Sequence, residues 1–107
     1  MHPIADKAEV ATDFPDKFYM GGFGRDCAFE GSADSEGVLI RLVRPGGEKR
    51  VAEIHLHHFL FASILDELAR TLDEKEPIDE IHREPLLNAA RRLAVALERA
   101  SAPSPAG

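Results

Sequence analysis

The residues best suited to chemistry lie together in one short stretch, Glu53-Ile54-His55-Leu56-His57-His58. In a β-strand, side chains at i and i+2 leave the same face, so Glu53, His55 and His57 are expected to project together. Zinc, nickel, copper and iron all accept two imidazoles and a carboxylate as ligands. An open fourth position would also suit a metal-activated water. The stretch therefore predicts a divalent-metal site at Glu53, His55 and His57, with His58 or Cys27 as a substitute ligand.

The alternative is that these are ordinary structural histidines. If the strand ends near Leu56, then His57 and His58 begin the following helix and the imidazoles no longer share a face. An imidazole there would act as a partly exposed cap, or its titration near neutrality would make an interface sensitive to protons. These interpretations stay open, and the sequence assigns no catalytic residue and no cofactor apart from the metal.

Two further features, a glycine-rich run and a single cysteine, are expected to have structural and not catalytic or binding roles. The run Gly21-Gly22-Phe23-Gly24-Arg25 lacks the Gly-Lys-Ser/Thr ending and the following helix of nucleotide-binding loops, so we expect a bulge or bend between strands. Phosphate binding by its backbone amides and Arg25 is the lesser alternative. Cys27 is the single cysteine and cannot form an intrachain disulfide. We expect it to pack as a small apolar side chain.

Hydrophobic patterning predicts the strands that would position these residues. Apolar and β-branched segments bounded by turn residues are found at about 18–20, 26–32, 37–43 and 50–56. Residues 33–37 form a turn signal rich in Asp, Ser and Gly. In Arg44-Pro45-Gly46-Gly47, proline sets the first central φ and glycine follows, as a type II turn requires. Together the segments predict an antiparallel meander of three to four strands.

The period becomes helical from about His58. Five apolar residues recur there at spacings of three and four: Phe61, Ile64, Leu65, Leu68 and Leu72. Pro77 is expected to end this helix, residues 78–82 to add a helical turn, and Pro85 to lie in the first turn of a second helix. That helix carries a 4-3-4-3 apolar stripe of Leu86, Ala90, Leu93, Leu97 and Ala100. The predicted fold class is α+β, a small antiparallel meander followed by two C-terminal α-helices packed on one face.

A chain of 107 residues is expected to form a single domain. We place it at residues 17–100, after an extended N-terminal arm, 1–16, with one helical turn at about 8–11, and before a disordered tail, 101–107. A sheet covered on one face leaves its other face and two edges open. Either these surfaces and the stripe of the second helix complete the core, or a twofold homodimer buries one of them.

Composition excludes several classes of function. The 13 Lys+Arg against 19 Asp+Glu leave a net charge of −6, which opposes nucleic-acid binding because phosphates attract cationic side chains. No apolar run approaches the roughly 20 residues of a membrane span, and the N-terminus does not resemble a signal peptide, so a cytoplasmic protein is expected. We predict a small soluble accessory or regulatory protein that binds a protein partner or a small ligand without catalysis. The alternative is a divalent-metal-binding protein or a small metal-dependent enzyme.

Overall fold

The computed structural model describes residues 1–47, 49–75 and 77–100. The strands are β1 (His2–Pro3), β2 (Ala8–Phe14), β3 (Lys17–Phe23), β4 (Ala28–Ala33), β5 (Gly37–Arg44) and β6 (Arg50–His57), and the helices are α1 (His58–Glu74) and α2 (Glu80–Arg99). The chain divides into two units, Met1–Ala69 and Arg70–Gly107, and each is described by itself. The predicted tail, 101–107, lies outside the described residues.

Four strands of the first unit form one antiparallel sheet in the order β1-β4-β5-β6. The apolar, β-branched strand β5 lies between β4 and β6, where such residues pack well on a pleated surface. Its registers are unbroken, and Leu39 lies opposite Ser32 on one side and His55 on the other. The predicted α+β class, with an antiparallel sheet followed by two C-terminal helices, is confirmed.

The N-terminal segment differs from the expectation. Residues 8–11, where we expected a helical turn, belong to β2, which pairs with β3 as a separate two-stranded sheet. The reason is a period of two along β2, since Ala8, Val10 and Thr12 are half-buried while their neighbours are exposed. The strand predicted at 18–20 belongs to β3, in the two-stranded sheet. The fourth strand of the larger sheet is β1, with His2 opposite Phe29.

The glycines at 21 and 22 do not form the expected bulge or bend. Both lie within β3, opposite Val10 and Glu9, so the phosphate-loop alternative loses its loop geometry as well. Pairing with β2 fixes this backbone despite the weak strand preference of glycine. The absence of a side chain at Gly21 also leaves room for Arg50, whose Cδ lies 3.0 Å from the position that a Cβ would occupy.

The core of the first unit is small. Ile4, Phe23 and Cys27 form one buried cluster, and Phe23 is its one large, fully buried side chain. The Ile4 amide donates to the Cys27 carbonyl at 3.1 Å, which ties the N-terminal residues to this cluster. Val10, Leu42 and Ala52 pack around it. Residues of the β2–β3 hairpin, which is the two-stranded sheet, and of the larger sheet therefore meet here. Cys27 lies buried, as we expected for a small apolar side chain.

The turns on either side of β5 follow the predicted chemistry. Between β4 and β5, the Asp34 carboxylate accepts hydrogen bonds from the amides of Glu36 at 2.8 Å and Gly37 at 3.1 Å. Between β5 and β6, Gly46 has a φ of +77°, the value that the second central position of a type II turn requires. Local side-chain and glycine signals therefore place both ends of β5 correctly.

The helices agree with the predicted pattern except at the start of α2. Helix α1 begins directly after β6, at His58. Helix α2 begins at Glu80, so Pro85 lies within the helix and not in its first turn. The Asp79 carbonyl accepts from the amides of His82 at 3.1 Å and Arg83 at 2.9 Å, which closes a helical turn before the proline. Pro85 therefore forgoes one backbone hydrogen bond near the helix start, a cost that the long helix tolerates.

Candidate functional site

The histidine row is built by the edge strand β6. Glu53, His55 and His57 alternate along the strand with the half-buried Ala52 and Leu56. The strand continues through His57 before α1 begins at His58, so the shared face that the spacing predicts is present. The ring centroids of His55 and His57 lie 4.9 Å apart, with the rings tilted by 48°. Two exposed imidazoles are therefore adjacent on one face of β6.

Glu53 is held on this face by an arginine of the neighbouring strand. Arg41 lies directly opposite Glu53 in the register, and its Nε lies 3.8 Å from Glu53 Oε1. This Nε is buried and makes no hydrogen bond within the described part of the chain. The Glu53 carboxylate is therefore the neighbouring anion that compensates the guanidinium charge, and a metal ion would compete with Arg41 for it.

His58 faces a different neighbour, the turn between β4 and β5. Its Nε2 lies 2.7 Å from the Asp34 carbonyl oxygen, and because a carbonyl only accepts, Nε2 carries the proton in this contact. In the neutral ring, Nδ1 remains as the nitrogen with a free lone pair. Hydrogen bonds from the Glu36 and Gly37 amides lower the pKa of the Asp34 carboxyl below its usual 3.8, with smaller contributions from the positive charge of His55 and His58.

The predicted metal ligands are thus brought together only in part. His55 and His57 are adjacent, Glu53 is paired with Arg41, and His58 is bonded to a backbone carbonyl. Cys27 lies in the core cluster with Ile4 and Phe23. Within residues 1–47, 49–75 and 77–100, no group of three His, Cys, Asp or Glu side chains is arranged to hold a metal ion. Metal binding by the full set stays a prediction.

A cleft between the β2–β3 hairpin and β6 is the feature that sequence reasoning missed. Its volume is about 500 Å³, and its walls are mostly apolar. At one end Arg50 reaches across to the hairpin, and its Nη1 donates to the Gly22 carbonyl at 3.4 Å. The lining residues are Val10, Ala11, Thr12, Tyr19, Met20, Gly21, Phe23, Arg50, Val51, Ala52, Glu53 and Ile54. The available signal was Gly21, whose lack of a side chain admits Arg50.

The second unit presents an apolar helix face. Every residue of α2 is described and none is buried, and the stripe leucines Leu86, Leu93 and Leu97 are each exposed. The positions beside the stripe are also apolar, since they are occupied by Leu87, Ala89, Ala94 and Ala96. An apolar face this wide exceeds the narrow seam of a two-stranded coiled coil, and it suits a helix with more than one helical neighbour.

Among the residues that the structure describes, neither helix is long and apolar enough to cross a membrane. Comparison of the chain with protein-family models, with curated proteins and with solved structures finds no match in any of the three.

Proposed function

We propose that this chain is an accessory protein that acts by binding, and that α2 is the element that binds a helical partner protein. The observation that carries the proposal is the exposure of the Leu86, Leu93 and Leu97 stripe. With Ala90 and Ala100 these leucines follow a 4-3-4-3 spacing, the pattern that interdigitates with the side chains of another helix. The small residues beside the stripe let a neighbouring backbone approach closely, so the expected partner presents two amphipathic helices that together cover the face.

The energetics favour a protein as the occupant. Full burial of an exposed leucine contributes about 1.5–3 kcal/mol. Leu86, Leu93 and Leu97 are 58%, 41% and 62% exposed, so covering each contributes roughly half of that amount, and together they offset part of the free-energy cost of association. Arg91, Arg92, Glu98 and Arg99 lie outside the stripe. Charges of both signs around an apolar centre resemble the polar rim of a protein interface.

A pair of photo-cross-linking positions tests this function. A photoreactive phenylalanine analogue at position 93 is expected to capture a second protein in cells, whereas the same analogue at position 95 is not. Leu93 lies on the stripe and Val95 lies off it, yet their exposed fractions are 41% and 44%. The captured protein, once purified, should bind the full chain in calorimetry, and Leu93→Asp should weaken its affinity at least tenfold, as for a central interface residue.

Val95→Asp is the control for the binding measurement and should leave the affinity within about twofold. The proposal fails if position 93 cross-links only to a second copy of the chain. It also fails if the purified captured protein binds Leu93→Asp as well as the unmodified chain.

We propose a second function, the binding of a divalent transition metal such as zinc, because the His55 and His57 rings lie side by side on an exposed face. Two imidazoles supply half of a tetrahedral site, and water or Glu53 would complete it. Calorimetry of the full chain with Zn²⁺ and Ni²⁺ should show binding tighter than millimolar. His55→Ala and His57→Ala should each weaken it at least tenfold.

His2→Ala is the matched control for the metal measurement, because His2 is also exposed and lies beside another ring, that of Phe29, at 5.3 Å. Its affinity for either ion should equal that of the unmodified chain. Binding weaker than millimolar, or an equal loss in all three variants, would contradict metal binding at β6.

A further inference from the structure

The outer edge of β6 is the best-formed open binding surface of the first unit. β6 is the last strand of the sheet order, so one of its two edges has no strand partner among the described residues. Its eight residues pair with β5 in an unbroken register, without a bulge and without proline. Proteins commonly protect such edges by bulges, by proline, by short strand length or by charged side chains. The charged side chains of β6 are Arg50 and Glu53, and each contacts a partner in the same chain, the Gly22 carbonyl and Arg41 respectively. A long, regular edge is a template for another strand.

We propose that a second copy of this chain pairs with that edge, β6 against β6, in antiparallel orientation about a twofold axis. The two four-stranded sheets then join into one sheet of eight strands. A twofold axis requires that if residue i of one copy faces residue j of the other, then j also faces i. If the axis is normal to the sheet, each face of one copy continues into the same face of the other. Residues that lie opposite each other are then an even number of positions apart in the sequence, so one residue of β6 must lie opposite its own copy.

The side chains of β6 select which residue that is. With Ile54 opposite Ile54, Ala52 lies opposite Leu56 on the same face, and every pair there is apolar. On the other face, Glu53 of one copy lies opposite His55 of the other, and Val51 lies opposite His57, so that each of these pairs occurs twice. Apolar cross-strand pairs stabilise antiparallel strands, and a carboxylate can accept a hydrogen bond from the imidazole that lies opposite it.

The neighbouring registers are poorer. Centring the pair on Glu53 places two carboxylates directly opposite each other, a destabilising arrangement. Centring it on His55 places two imidazoles opposite each other and shortens the overlap within β6, which ends at His57. The Ile54-centred register avoids both, so the pairing of Glu53 with His55 and the apolar pairs on the other face specify it.

The cleft supports a second copy as the occupant. In the Ile54-centred register, residues 54–57 of the second copy run along residues 54–51 of the first. Val51, Ala52, Glu53 and Ile54 all line the cleft, so the added strand enters it. Tyr19 and Met20 form the opposite wall and are both exposed, so they become covered by the added strand. The second copy would thus complete the cleft, whose lining residues all belong to the first unit.

Sedimentation velocity of the full chain tests the assembly. We expect a species of twice 11.7 kDa at micromolar concentration. Ile54→Lys should weaken the assembly at least tenfold, because it brings two ammonium groups together at the axis. Ile40→Lys is the control, since Ile40 lies opposite Ile54 but on the interior strand β5, away from the edge. It should leave the assembly intact.

A cross-link tests the register itself. Ile54→Cys should form an intermolecular disulfide on mild oxidation, because opposite Cβ atoms lie about 4.5–5.5 Å apart, within a small adjustment of disulfide geometry. Val51→Cys should not, because its copies lie six residues apart along the strands, about 20 Å. The two positions are matched in exposure, 48% and 43%. The unmodified chain, oxidised under the same conditions, measures any cross-linking through the buried Cys27.

A species of 11.7 kDa alone would overturn the proposal and leave the edge to some other extended segment. Equal cross-linking of Ile54→Cys and Val51→Cys would overturn the register. An assembly that survives Ile54→Lys and is lost with Leu93→Asp would place the self-contact on α2, which overturns this inference.

Discussion

Phe23→Ala is expected to lower the free energy of unfolding of the first unit by about 3–5 kcal/mol, the usual cost of emptying a buried phenylalanine site. Phe23 is 2% exposed and, among the described residues, is the one large side chain that is fully buried. The surrounding cluster has few members, so little other apolar burial compensates for the cavity. Because small domains are stable by about 5–15 kcal/mol, this substitution removes a large share of the total.

Urea unfolding followed by circular dichroism measures this loss, and Phe18→Ala is its matched control. Phe18 lies on the same strand, β3, but is 59% exposed, so its removal should change the unfolding free energy by well under 1 kcal/mol. Equal shifts of the urea midpoint in the two variants would show that Phe23 does not hold the hairpin to the sheet.

Gly37→Ala is expected to have the second large effect, a loss of about 1–3 kcal/mol or more, as for other overpacked sites. A Cβ at this position would overlap the carbonyl oxygen of Leu56 on the paired strand, and its distance to the His57 Cα would be 3.1 Å. Backbone atoms cannot move aside as a flexible side chain can. The β5–β6 pair would therefore separate at the end that carries His57.

Gly31→Ala separates this clash from the general effect of replacing glycine in a strand. Gly31 lies on β4, opposite Ile40, and a Cβ there would meet nothing within 4 Å. Its unfolding free energy should stay unchanged or rise by up to about 1 kcal/mol, because alanine restricts the unfolded chain. Thermal unfolding of both variants decides the matter, and a Gly37→Ala midpoint equal to that of Gly31→Ala would contradict the clash.

The parts of the fold that follow from local signals were predictable. The β-branched run of β5, the Asp34 turn, the Gly46 turn and the change to a helical period at His58 all depend on neighbouring residues. The hairpin was not predictable in the same way. Gly21 and Gly22 have a weak strand preference, and only pairing with residues about a dozen positions earlier keeps them extended.

The candidate site was likewise predictable only where it depends on neighbouring residues of one strand. Spacing along one strand correctly predicted that His55 and His57 share a face. It could not show that Arg41 engages Glu53 or that Asp34 engages His58, since both partners come from other strands or turns. The cleft could not be predicted either, because its lining residues, among them Tyr19 and Val51, come from distant parts of the chain.

The direct passage from β6 into α1 has a mechanical consequence. His57 ends the strand and His58 begins the helix, so no loop residue lies between them to absorb a rotation. The hydrogen bond from His58 to the Asp34 carbonyl connects this junction to the turn before β5. A twist applied to the strand edge must therefore be passed on as a rotation of the first helical turn. Phe59, the next residue of that helical turn, is therefore expected to change direction with any rotation of the end of β6.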